Sequence, residues 1–230
     1  MRRITLIVVA SLLAAAPSAA ADATATATAT PATAGQPFTL HFDINGLAAP
    51  ISGRLPKALQ LTAPSGVRVN LQAIAKRCSG ESAKLNECPA GSQFGKGKLI
   101  VTVNQQGKGS RDVTIPLTVY LHSSNSILAV AEVLGWQVVP ATLNTRNGLV
   151  VRFDPLPAGP PFAGVSYTLK RITMDLGARR VLKKGKRRTK LTLIRNPPTC
   201  SGSWLSSVAL TFRDGSPTQQ LPTPIPCLKR

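Results

Sequence analysis

The 230-residue chain carries 28 Lys and Arg against nine Asp and Glu, a formal charge of +19, and 43% of it is hydrophobic. That length suffices for one large or two small domains with a substantial core, so core size excludes no ordinary globular fold. Two Trp, two Tyr and six Phe leave the core to Val, Leu and Ile, and weigh against an extended surface that stacks sugars or bases.

Residues 1–21 read as a cleavable signal peptide. Met1-Arg2-Arg3 supplies a positive start, Ile4 to Ala16 an apolar run broken only by Thr5 and Ser11, and Pro17-Ser18 ends it before the small residues Ala19 and Ala21. A secretion apparatus reads this order. As a helix the apolar run rises about 20 Å against a hydrocarbon layer of roughly 30 Å, which disfavours a membrane anchor. The first cysteine is Cys78 and residues 221–230 form no sorting or anchor tail, so no lipid or wall attachment is expected. Cleavage before Asp22 removes Arg2 and Arg3 and lowers the charge from +19 to +17. The expected location is secreted, extracellular, or held at the cell surface without a transmembrane segment.

Residues 22–36 alternate Ala and Thr from Ala23 to Thr30 and end in Pro31-Ala32-Thr33-Ala34-Gly35. Alanine offers little to bury on one face of a strand, so this stretch is expected to be a flexible leader. Order is expected over 37–227. Phe38, Leu40, Phe42 and Ile44 alternate with Thr39, His41 and Asp43 before the turn Asn45-Gly46, the clearest strand in the chain. Phe94-Gly95-Lys96-Gly97-Lys98 lacks the spacing of a phosphate loop and reads as a turn into a strand over Leu99 to Val103. Val113, Ile115, Leu117, Val119 and Leu121 form the next stripe; Pro116 opposite them calls for an edge or a bulge.

Ile127 to Leu134 and Trp136 to Val139 fit strand-turn-strand, and Leu149 to Phe153 another strand. In the run 165–176, Val165, Tyr167 and Leu169 share one parity and Ile172, Met174 and Leu176 the other. A bulge near Lys170-Arg171 reconciles them. Leu191 to Ile194 and Trp204 to Phe212 complete the set. These strands predict an all-β fold, either an immunoglobulin-like β-sandwich or two small packed β modules divided near 144–148.

Four cysteines in an exported chain favour two disulfides. Of three pairings, Cys78 with Cys88 and Cys200 with Cys227 are expected, since each is local and staples a Pro/Gly-rich connection. No CxxC pair or nearby histidine supports a metal site instead. The only histidines, His41 and His122, sit on polar parities, no Gly-x-Ser-x-Gly elbow occurs, and the nine acids are scattered. No catalytic residue, metal or cofactor is therefore assigned. One segment stands out: Arg179, Arg180, Lys183, Lys184, Lys186, Arg187, Arg188 and Lys190 place eight cations in twelve residues, with Lys184-Gly185-Lys186 as a hairpin tip.

Two further segments carry a resemblance. Pro64-Ser65-Gly66-Val67-Arg68-Val69-Asn70 with Cys78, Leu85, Cys88-Pro89, Ser92 and Gly95, and Asn196-Pro197-Pro198-Thr199-Cys200-Ser201-Gly202-Ser203-Trp204 with Phe212, Asp214-Gly215 and Cys227, together resemble an uncharacterised family of secreted β-rich proteins from high-GC Gram-positive, actinobacterial species. The likeness spans roughly residues 60–227. It implies export, a β-rich extracellular domain and local cysteine pairing, and no catalytic residue.

The expected function is a non-catalytic secreted or envelope-associated structural or binding module. Its basic segment would dock on acidic cell-wall polymer or an anionic lipid surface; nucleic acid is disfavoured by export and by the lack of aromatics in the cluster. The alternative is an extracellular hydrolase that attacks envelope polymers through carboxylates.

Overall fold

The computed structural model describes residues 23–47, 55–105, 107–132, 136–156, 165–177, 179–184 and 187–229. Residues 1–21, expected to be a signal peptide, lie outside the described residues, as do Gly185 and Lys186 of the basic segment.

In chain order the strands are β1 (Thr24–Thr30), β2 (Thr39–Asn45), β3 (Pro56–Thr62), β4 (Arg68–Val69), β5 (Gln93–Gln105), β6 (Gly109–Leu121), β7 (Ser126–Glu132) and β8 (Trp136–Asn144). The second half adds β9 (Val150–Phe153), β10 (Val165–Leu176), β11 (Arg179–Lys184), β12 (Arg187–Thr192), β13 (Ile194–Arg195), β14 (Ser203–Phe212) and β15 (Gln219–Pro226). The fold is all-β, with one short α-helix among the described residues, α1 (Gly80–Lys84). In place of two facing sheets or two modules, hydrogen bonding joins eleven strands into one antiparallel sheet, ordered β1-β2-β10-β5-β6-β7-β8-β9-β3-β14-β15. Residues 144–148 mark no boundary, because β8 and β9 on either side of them pair directly, Asn144 opposite Val150.

The two ends of this sheet meet. β1 lies alongside β15, Thr33 bridges Leu228 in parallel, and the Ala34 and Leu228 amides donate to Leu228 O and Ala32 O at 3.0 and 2.8 Å. A parallel seam is what an odd number of strands requires when every other neighbour is antiparallel. The sheet is therefore curled round a single main core, in which Leu40, Phe42, Ile44, Leu59, Leu121, Met174 and Leu176 are almost fully buried. Each such side chain contributes about 1.5–3 kcal/mol on leaving water.

The Ala/Thr stretch expected to be a flexible leader is largely a strand. β1 pairs with β2 along its length, Ala27 opposite Phe42 and Ala29 opposite Leu40, with Ala27 and Ala29 buried and Thr26, Thr28 and Thr30 exposed. Small residues suffice here because the large side chains of the neighbouring strands already fill the interior. The glycines before Leu99 are also strand and not turn. β5 starts at Gln93, and a Cβ on Gly95 or Gly97 would lie 2.5 Å from Asp175 O or 2.0 Å from Thr173 O. Both positions let the β10 backbone come close.

Two irregularities fall where side-chain parity demands them. The β10–β5 register shifts between Leu169 and Arg171, so Leu169, Ile172, Met174 and Leu176 all pack on the main core. Pro116 lies in an interior strand, yet β6 pairs with β7 only from Leu117 onwards. The proline thus occupies a local edge, where its missing N–H leaves no gap in the β6–β7 ladder.

The unbroken apolar run of β7 has a similar explanation. Ile127, Ala129 and Ala131 face the main core, whereas Leu128 and Val130 pack against Cys78 and Ala83 in a satellite cluster. Cys78 and Cys88, with Cα atoms 5.1 Å apart, close the loop that carries α1. Ser79 caps this helix by accepting from the Ser82 amide at 3.0 Å, and His122 Nδ1 donates to Cys78 O at 2.7 Å, fixing the loop to the end of β6.

Candidate functional site

The basic segment forms a two-stranded antiparallel hairpin of its own, β11 with β12, separate from the main sheet. Its register sets Lys183 opposite Arg188 and Lys184 opposite Arg187, with Arg180 opposite Leu191, Val181 opposite Lys190 and Arg179 opposite Thr192. Like charges directly across a strand pair destabilise it. The hairpin thus concentrates charge in two adjacent rungs beside its tip.

The root of this hairpin is built by the two motif segments. β4 and β13 pair, placing Arg68 opposite Arg195 and Val69 opposite Ile194, and the Asn70 amide donates to Leu193 O at 2.7 Å. Gly66, at φ +81°, stands against Pro197, with 3.5 Å between the Pro197 Cβ and the position of an added Cβ. Asn196, 1% exposed, donates through Nδ2 to Pro31 O and Thr33 O, both at 2.8 Å, while the Gly35 amide donates to Pro197 O at 2.8 Å. The Asn-Pro-Pro run is therefore a clasp that ties residues 31–35 to the rest of the molecule.

A small cavity of about 100 Å³ opens between these pieces, lined by Arg68, Lys190 and Arg195 together with Val69, Asn70 and Thr192. The three cationic residues are exposed, and the Thr192 hydroxyl is buried with no hydrogen-bond partner among the described residues. Arg68 is distant in sequence from the 179–190 cluster, and the β4–β13 pairing, which sets it opposite Arg195 five residues beyond Lys190, reveals it as the cluster's extension. The predicted Lys190 is brought to this cradle. Arg179, Arg180, Lys183, Lys184, Arg187 and Arg188 lie along the hairpin, and Lys186 is outside the described residues.

Five acids elsewhere are held by cations or histidine. Asp43 accepts two bonds from Arg171, that from Nε at 2.7 Å; Asp112 accepts from Lys170 at 2.8 Å and Thr102 at 2.7 Å. Asp154 binds Arg152, Glu81 binds Lys84, and Asp175 accepts from His41 Nδ1 at 2.7 Å. The Lys170 ammonium and then the Thr102 hydroxyl hold the Asp112 carboxyl below the usual aspartate range. The hydrogen-bonded Asp43 carboxylate raises Arg171 further above its ordinary value. Among the described residues no group of three or more His, Cys, Asp or Glu is placed to hold a metal ion.

Both expected disulfides are present: Cys78–Cys88, and Cys200–Cys227 with Cα atoms 5.9 Å apart. Trp204, 7% exposed, follows the second bridge at the start of β14, donates from Nε1 to Thr199 O at 2.7 Å and pairs with Ile225. No helix among the described residues is long and apolar enough to cross a membrane. Comparison with protein-family models, with curated proteins and with solved structures finds no match.

Proposed function

We propose that this protein is an exported, non-catalytic binding module that attaches to an acidic envelope polymer through the β11–β12 hairpin and the cradle at its root. The observation that carries this reading is the register of the hairpin, with Lys183 across from Arg188 and Lys184 across from Arg187. In the isolated protein such rungs repel. A polyanion laid along them removes the repulsion and gains entropy by releasing its own condensed counterions. Arg68 and Arg195, which line the cradle with Lys190 of the hairpin, lengthen the basic track beyond it. Two disulfides suit an extracellular compartment.

The test is binding of purified protein, lacking residues 1–21, to soluble lipoteichoic acid. Binding is expected at low salt and is expected to weaken steadily as salt rises, since charge reaches only about 8 Å at 0.15 M ionic strength. Changing Lys183, Lys184, Lys186, Arg187 and Arg188 together to Ser should weaken it by about tenfold or more. The unfolding free energy should move by no more than about 0.5 kcal/mol. Equal binding by variant and parent would make the hairpin a solvated loop. Binding that persisted in 1 M salt would place recognition elsewhere.

A further inference from the structure

The curled sheet does not fill its own interior evenly. A second, larger cavity of about 270 Å³ lies between β10, β5, β6, β7, β8, β9 and β3, seven consecutive strands of the sheet that converge on one space because the sheet curls. Its inner wall includes Leu59, Leu117, Ile172 and Met174, all buried. Towards its mouth Leu99, Val139, Tyr167 and Leu169 are only partly covered, and Leu55 is 43% exposed. Among the described lining residues only Gln137, Tyr167 and Arg213 bring polar groups, and none is acidic.

Such a lining, mostly apolar with a few polar groups, is the general form of a small-molecule site. Partly exposed leucine and valine on the inner face of long strands forgo burial that a ligand would supply, at about 25 cal/mol for each Å² covered. Arg213 fixes the polarity of that ligand. It follows β14, its amide donates to Leu55 O at 3.0 Å, and its Nη2 donates to Leu156 O. These contacts orient the guanidinium at the cavity edge, and a guanidinium pairs with a carboxylate in a planar, two-pronged geometry. The volume is slightly below the range of about 300–1,000 Å³ usual for small-molecule pockets, which suits one aliphatic chain and not a two-chain lipid.

We propose that this cavity binds a single-chain aliphatic carboxylic acid, chain inward between the strands and carboxylate on Arg213. The site is distinct from the basic hairpin and does not depend on its role.

Calorimetric titration of the chain lacking residues 1–21 with decanoate, with 1-decanol and with acetate tests it. Decanoate is expected to bind one to one, decanol more weakly, and acetate not at all. Arg213→Gln should weaken decanoate about tenfold, the loss of one charge-assisted contact, and leave decanol unchanged. Ala131→Phe, which fills the cavity from β7, should abolish binding of both. If that variant fails to fold, Ala129→Val, which adds two methyl groups to the same wall, should still weaken both ligands. The five-fold Ser variant of the hairpin should bind decanoate as the parent does. Loss of decanoate binding in the hairpin variant, or its retention in a folded Ala131→Phe protein, would overturn the assignment. So would equal affinity for decanoate in the parent and Arg213→Gln. Failure of polymer binding with decanoate binding intact would refute the hairpin's role alone.

Discussion

At single residues the structure separates positions that look alike in sequence. Gly97 and Gly80 are both non-terminal glycines in polar surroundings, yet a Cβ at 97 would sit 2.0 Å from Thr173 O whereas at 80 it would meet nothing within 4 Å. Gly97→Ala must push β10 off β5 and is expected to destabilise by about 1–3 kcal/mol, as overpacking does. Gly80→Ala, inside α1, should be neutral or stabilising by up to about 1 kcal/mol through helix propensity. Denaturant unfolding of the two variants checks both signs. Asp112 gives a residue-scale test in pH. Its carboxyl is held low by Lys170 and Thr102, so its contribution to stability is present above the unfolded-state pKa and is lost as pH falls through the lower folded value. Carbon-detected NMR titration should place the Asp112 midpoint below that of an unfolded aspartate, and Lys170→Ala should move it upwards. An unmoved midpoint would mean that the contact with Lys170 does not persist in solution.

At the scale of elements, what the sequence showed depended on whether burial was done by large side chains. β2 and the bulge in β10 were legible because Phe38, Leu40, Phe42 and Ile44, and the parity change from Leu169 to Ile172, leave a strong imprint. β1 left little, since its inward face is alanine. β15 left little because Pro222, Pro224 and Pro226 are exceptional in a strand, and are tolerated here on a strand paired only to β14 on one side over their length. The close approach at Gly95 and Gly97 is a property of β10, distant in sequence, and the β4–β13 pairing that adds Arg68 and Arg195 to the basic site is equally non-local. The reading of β1 has a direct test. Ala27, 4% exposed, and Thr28, exposed, are neighbours. Ala27→Asp should destabilise by about 2 kcal/mol or more because it buries a charge without a partner, and Thr28→Asp should stay within about 0.5 kcal/mol. A flexible leader would make both substitutions silent, as read by thermal melting.

At the scale of the whole molecule, the seam between β1 and β15 converts a sheet with two open edges into one whose ends protect each other, which limits edge-to-edge association. The Asn196 clasp holds the β1 side of that seam, and the Cys200–Cys227 bridge, with Leu228 next to it, holds the β15 side. The two disulfides therefore differ in kind. Cys78–Cys88 closes a local loop over a satellite cluster, whereas Cys200–Cys227 stands at the point where the sheet closes. Chain entropy ranks them in the same order, about 2.7 kcal/mol for a separation of 10 residues and about 3.6 kcal/mol for 27. Stability alone cannot separate entropy from location, because removing buried Cys78 also costs packing. Hydrogen exchange can. The Ala34 and Leu228 amides bond across the seam, and replacing Cys200 and Cys227 together by Ala should speed their exchange well beyond the change at β5 and β6. Replacing Cys78 and Cys88 together by Ala should instead speed exchange in α1 and at Cys78 N, which donates to Leu121 O, and leave the seam protected. Uniform acceleration of every amide by either pair would mean that the sheet opens only as one unit, with no seam that the second bridge guards.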